Sequence, residues 1–137
     1  MASPIPAGSG SLGQLMTSRL SLGRWGEAIA AEYLSSLGYV IIEHNARTPY
    51  GELDLIAKQG DGLVFVEVKT RASLSLGLPE ISVTPTKQAH LLSSAQAYLQ
   101  AHPELGEDWR IDVIAILRLP GKSPQIEHFE NIITSEA

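Results

Sequence analysis

Apolar and polar positions along the chain follow two periods. Between 22 and 37, Ala30, Leu34 and Leu37 recur at helical spacing, with Ser21 as a candidate N-cap and Gly38 placed just past the end. Glu27, three residues before Ala30 and seven before Leu34, falls on the same core-facing stripe. Residues 39–44, 52–58 and 63–70 are rich in Val, Ile, Leu and Phe over strand-length runs, and Gln59-Gly60-Asp61-Gly62 between the last two has the composition of a hairpin loop. A longer loop over 71–85 carries Gly77, Pro79 and Pro85. A second helix is predicted over 86–101, with Thr86 as its cap, Gln88, Leu92, Ala95 and Leu99 on one face, and Pro103 beyond its end. The nearly continuous apolar run at 110–118 predicts a strand covered on both faces, and 125–129 a last short strand. The order is αβββαβ, an α/β domain whose mixed central sheet is flanked by helices.

Residues 1 to about 20 lack either period and scatter Pro4, Pro6, Gly8, Gly10 and Gly13 among small polar residues, so they read as a flexible tail ahead of a domain over 21–137. The 137 residues suit one domain. With no cysteine, disulfides, thiolate metal sites and a thiol nucleophile are excluded, and a reducing, cytoplasmic setting is expected. No apolar run approaches the ~18 residues of a membrane span. The net charge of −5 is uneven: residues 1–99 hold 8 acids against 7 bases, and 100–137 hold 7 against 3. The acidic total therefore does not exclude a nucleic-acid site in the first part of the chain. Gly8-Ser9-Gly10-Ser11-Leu12-Gly13 matches a dinucleotide fingerprint but follows no strand, and Gly121-Lys122-Ser123 lacks the first glycine of a phosphate loop. His44, His90, His102 and His128 show no metal-binding spacing.

The informative stretch is Gly51-Glu52-Leu53-Asp54-Leu55-Ile56-Ala57 followed by Leu63-Val64-Phe65-Val66-Glu67-Val68-Lys69. Strand side chains alternate, so Val64, Val66 and Val68 share one face while Glu67 and Lys69 share the other. If the loop over 59–62 pairs Lys58 with Leu63, Asp54 falls opposite Glu67, with Cβ atoms about 4.5–5.5 Å apart. Two carboxylates so placed repel, or force one to hold its proton, unless a cation joins them. Mg²⁺ suits such a pair, because it takes one or two carboxylates plus water and substrate phosphate. Lys69 beside it would hold a phosphate oxygen or orient the attacking water, and Glu27 would bring a third carboxylate from the first helix. Alone, Glu67-Val68-Lys69 is the pattern of an exposed amphipathic strand and Glu27 that of an ordinary helix acid. Asp54 is the less ordinary residue, since Asp is disfavoured in strands.

The segments GRWGEAIAAEYLSSLGY, GELDLIA, FVEVKTR and RIDVIAI resemble, in order and spacing, the YraN-like family of bacterial proteins. That family is assigned to the restriction-endonuclease-like, PD-(D/E)XK superfamily, which includes archaeal Holliday-junction resolvases. The resemblance runs from about Gly23 to Ile133 and implies the αβββαβ endonuclease-like core. It makes Asp54 the motif aspartate, Glu67 the following acid and Lys69 the motif lysine. Glu27 becomes the acid of the first helix and Gln88 a supporting polar position on the second. Leu53 stands where the superfamily usually has proline.

The leading expectation is Mg²⁺- or Mn²⁺-dependent hydrolysis of phosphodiesters, with DNA favoured over RNA. Asp54, Glu67 and the Val68 carbonyl would hold the metal, and Arg24, Arg47, Arg71, Lys87 and Arg110 are candidate phosphate contacts. Each of these basic residues is equally read as an ordinary solvated charge. The alternative is a non-catalytic nucleic-acid-binding module of the same fold. A third reading is an assembly protein with a protomer interface on or near the strand at 110–118, and a homodimer is compatible with any of the three.

Overall fold

A computed structural model describes residues 11–72 and 84–134. The elements are α1 (Ser11–Ser36), β1 (Val40–Thr48), β2 (Gly51–Gln59), β3 (Gly62–Arg71), α2 (Pro85–Ala101), a 3₁₀ turn (Pro103–Leu105), β4 (Trp109–Leu117) and β5 (Gln125–Thr134). The sheet order is β1-β2-β3-β4-β5. The first three strands form an antiparallel meander, β3 and β4 run parallel with α2 as the crossover, and β4–β5 is antiparallel. The chain is thus an α/β domain on a mixed sheet, with β5 added at the edge of the expected αβββαβ order.

The sheet separates two apolar layers. On one face Ala30, Leu34 and Tyr39 pack on Leu55, Ala57, Val64, Val66, Ile114 and Ile116. On the other, Leu91, Ala95 and Tyr98 of α2 pack on Leu53, Ile56, Leu63, Phe65 and Ile111. β4 is buried from Ile111 to Leu117, as its unbroken apolar run requires. That strand lies inside the sheet between β3 and β5, so the sheet edge considered for a protomer interface on or near it belongs to its neighbour β5.

Several boundaries differ from expectation. The backbone is helical from Ser11, so the tail boundary at residue 20 falls within α1. Leu12, Gln14, Leu15, Met16, Arg19 and Leu20 are good helix formers, and their summed propensity outweighs the scattered glycines. The helix ends where predicted: Gly38 has φ 93°, its N–H reaches the Ser35 carbonyl, and the Tyr39 N–H reaches the Leu34 carbonyl, both at 3.0 Å. Leu37, expected in the core, lies beyond the last turn and is 56 % exposed.

α2 is capped by Thr84 rather than Thr86. The Thr84 side chain accepts from the Lys87 N–H (3.2 Å), and Pro85 takes the first helical position, where no N–H is needed. Its buried face is Leu91, Ser94, Ala95 and Tyr98, one residue round from the predicted stripe. That rotation buries the Tyr98 ring edge-on against Phe65 (5.9 Å between centroids) and leaves Gln88 exposed. Tyr98 donates to Glu43 Oε1 (2.8 Å), and burial, then the bond to Glu43, pushes its pKa up to about 12. Most of the predicted 71–85 loop, residues 73–83, lies outside the described residues.

Candidate metal-binding fork and nucleic-acid interface

The hairpin sets the site. Gln59 pairs with Gly62 and Lys58 with Leu63, so the turn proper is Gly60-Asp61. Gly60 has φ 60° and Asp61 is not in the left-handed region, the pattern of a type II′ turn. This register, carried on, faces Asp54 with Glu67. Among the described residues, however, the β2–β3 ladder stops at Leu55–Val66. Beyond it β2 stays paired with β1 as far as Gly51, and β3 with β4 as far as Arg71. The sheet therefore opens into a fork between its two central strands.

Asp54 stands at the root of that fork. Its Oδ2 accepts from the Val68 N–H (2.8 Å), so a carboxylate takes a donor that the β2 backbone no longer meets. Strict alternation breaks here: Leu53 belongs to the α2-side layer, Leu55 to the α1-side layer and Ile56 again to the α2 side. In a strand, the N–H and C=O of one residue point the same way, so the Val68 carbonyl also faces the fork. Glu67 is the residue that the hairpin register, carried one step past Leu55–Val66, sets opposite Asp54. Burial first, then the charge of Glu67, pushes the Asp54 carboxyl up to about 8, while the Val68 N–H pulls it down. Glu27 adds a weaker upward push.

Glu27 is fixed by groups the sequence reading passed over. Asn45 Nδ2 donates to Glu27 Oε1 (3.1 Å) and to Glu52 Oε1 (3.2 Å), and Arg24 Nη1 donates to Asn45 Oδ1. Arg24 also lies 3.8 Å from Glu27. Asn45 has φ 50°, a left-handed conformation that Asn tolerates better than most residues. Its place in the β1–β2 register is opposite Asp54, since His44 pairs with Leu55 and Ala46 with Leu53. The two irregular residues thus sit side by side. An Asn inside a strand is the signal that could have marked this position. α1 approaches closely here because Gly26 has no side chain: a Cβ would stand 2.0 Å from Thr70 Oγ1.

The other wall belongs to α2. Lys87 Nζ lies 3.0 Å from Glu67 Oε2, and that contact raises the Lys87 pKa. Burial, followed by the charge of Lys87, lowers that of Lys69. The fork therefore gathers Glu27, Asp54, Glu67, Lys69 and Lys87. Gln88 is exposed one residue on from Lys87. Arg71 is exposed at the end of β3, and Arg47 reaches only Glu52, at 3.9 Å with its side chain 90 % exposed.

Arg110 is elsewhere. In the β3–β4 register it faces Val64, three residues before Glu67. Its guanidinium is spent on Asp112 (2.9 Å), Tyr39 (2.8 Å), Gln59 (2.9 Å) and Glu130 (3.1 Å), so it is a structural cation and not a phosphate contact.

The donor set fits a hard divalent cation: two acidic side chains in conflict, one inward backbone carbonyl and no soft ligand. Among the described residues no three His, Asp or Glu side chains converge as a closed metal cage. A cation held by Asp54, Glu67 and Val68 would keep positions open for water and phosphate, which is how Mg²⁺ is commonly bound.

Fold and fork together define an α/β protein with a two-carboxylate, lysine-flanked site at a split in its sheet. The chain belongs to the uncharacterised protein family UPF0102, whose model matches residues 26–116. This is the YraN-like family of the resemblance. Among its relatives, a UPF0102 protein of Dehalococcoides mccartyi is 43 % identical over 118 residues, covering 86 % of this chain and 97 % of that one. One from Syntrophomonas wolfei is 48 % identical over 110 residues (80 % and 95 %). One from Syntrophotalea carbinolica is 49 % identical over 111 residues (81 % and 89 %). Among solved structures, Hjc of Archaeoglobus fulgidus, a Holliday junction resolvase, is a distant likeness. Its TM-score is 0.42 and its identity 13 %, with 78 % of this chain and 85 % of that one covered.

Proposed function

We propose that the protein is a Mg²⁺- or Mn²⁺-dependent nuclease of the cytoplasm that hydrolyses phosphodiesters, in DNA before RNA. The observation that carries this reading is the Asp54–Glu67 pair at the fork: two acids share one recess, and among the described residues Asp54 takes one backbone donor, the Val68 N–H, for its charge. Such an arrangement opposes stability unless it serves a site. Asp54, Glu67 and the Val68 carbonyl would hold the cation. Bound there, it supplies Lewis-acid polarisation of the phosphate and lowers the pKa of water. Lys69, set beside Glu67 on β3, would meet the charge that develops on the phosphate oxygens. Glu27, steadied by Asn45 and Arg24, would accept a proton from water near Asp54. Arg24, Arg71 and Lys87 rim the fork and would take flanking phosphates.

A second reading, a nucleic-acid-binding module without catalysis, draws on Lys87, whose ammonium already neutralises Glu67 at 3.0 Å. Cleavage assays over branched and linear substrates, titrated with Mg²⁺ and Mn²⁺, separate the two. The nuclease reading expects metal-dependent cleavage that falls about 10²–10³-fold in Lys69→Ala and at least as far in Asp54→Asn. Cleavage unchanged in both variants overturns it. Salt-sensitive binding with no cleavage under any metal supports the binding module.

A further inference from the structure

On its α2 side the fork opens into a cleft of about 440 Å³, a volume suited to a small ligand. Glu52, Glu67, Lys87 and His90 line it, and the Lys87 ammonium is already paired with Glu67 at 3.0 Å. Glu52, with the hydroxyls of Thr86 and Ser94, offers acceptors suited to amino groups. At the mouth stands Tyr50, its ring 59 % exposed. The turn that carries it is braced: Thr48 Oγ1 accepts from the Tyr50 N–H (3.1 Å) and donates to the Gly51 carbonyl (2.7 Å). An exposed aromatic ring on a braced turn beside a small recess is a stacking platform. The flat, uncharged group with amino donors that matches both features is a nucleobase. The larger cavity, about 530 Å³ at the other end of the sheet, has no exposed ring of this kind: its Trp109 is half-buried against Phe65, and its Arg110 is already paired.

We infer that this cleft seats one unpaired nucleobase beside the phosphodiester at the fork. Bases stacked and paired within a duplex are not available to it, so the substrate class is a strand with an unpaired nucleotide: an end, a flap or a bulge. The inference rests on the nuclease reading for where the strand is cut. The base seat itself is a binding property.

The test is fluorescence anisotropy with the full chain and Ca²⁺ present, on three probes: a blunt hairpin duplex, the same duplex with a single-nucleotide adenine overhang, and that overhang made abasic. The expected result is about tenfold tighter binding of the overhang, lost when the base is removed and lost in Tyr50→Ala but kept in Tyr50→Phe. Equal affinity for blunt and overhang probes overturns the inference. So does an abasic overhang that binds as well as adenine, or a Tyr50→Ala protein that retains the preference. Because the abasic arm uses the unmodified chain, a folding defect in a variant cannot mask the outcome. An overhang preference without cleavage in Mg²⁺ or Mn²⁺ would sink the nuclease reading and leave the base seat standing. Cleavage of blunt and overhang probes alike, without preference, would do the reverse.

Discussion

Asp54 on β2 and Asp112 on β4 flank the same strand, β3, and both are withdrawn from water, yet their surroundings treat the carboxylate in opposite ways. Asp112 is 0 % exposed and fully answered: Arg110 Nε donates at 2.9 Å, the Asn131 N–H at 2.9 Å and His128 Nε2 at 2.7 Å. His128 is held in turn by the Tyr33 hydroxyl, 3.2 Å from Nδ1. Burial alone would raise the pKa of Asp112, but the bonds from His128, Arg110 and Asn131 together bring it below the ordinary value. Asp54 meets one backbone N–H and another acid, and its pKa rises. A buried charge with partners ties elements together. A buried charge facing its like costs stability and is retained where a ligand can use it.

The contrast can be broken by substitution. Asp112→Ala strands Arg110 and His128 and should cost about 3–5 kcal/mol in urea unfolding. A loss below 1 kcal/mol would mean that the network does not tie β5 and α1 to β4. Gly26→Ala pushes a methyl into Thr70 and should cost about 1–3 kcal/mol, while shifting Glu27 away from the fork. Asp54→Asn should move the other way, raising stability of the metal-free protein by about 0.5–2 kcal/mol while removing cleavage. Destabilisation there would make Asp54 a second structural acid.

The pH dependence sharpens the same difference. The folded value of Asp54, about 8, lies above its ordinary 3.8, so the native state keeps a proton that the unfolded chain has released. Its contribution therefore declines as pH rises from roughly 4 to 8. Asp112 has the opposite sign, since its folded pKa is depressed. The stability it adds is present above the ordinary carboxylate range and lost as pH falls through its folded value. Urea midpoints measured in chelator from acid to mildly alkaline pH should lose the decline between roughly pH 4 and 8 in Asp54→Asn and the acid-side loss in Asp112→Asn. The smallest effect belongs to Arg47→Ala, which should stay within about 0.5 kcal/mol.

Much of this was legible from residue order. The glycine hairpin fixed the β2–β3 register, and the unbroken apolar run at 110–118 marked an interior strand. What could not be read were contacts set by long-range packing. The fork arises because β2 and β3 keep their outer partners while losing each other, and no local pattern encodes that. Asn45 reaches Glu27 only because β1 twists through φ 50° beside Asp54. Arg110 reads as a phosphate contact or a solvated charge until Asp112, Tyr39 and Glu130 are brought to it by the fold. The α2 face was misread by one residue because Tyr98 finds both Phe65 and Glu43, neither local to it.

Calorimetric titration of Mn²⁺ into the chain, Asp54→Asn and Asp112→Asn tests the central claim most directly. The account predicts saturable binding to the unmodified protein, lost in Asp54→Asn and kept in folded Asp112→Asn. Binding that survives Asp54→Asn unchanged, or no binding to the unmodified protein, would contradict it.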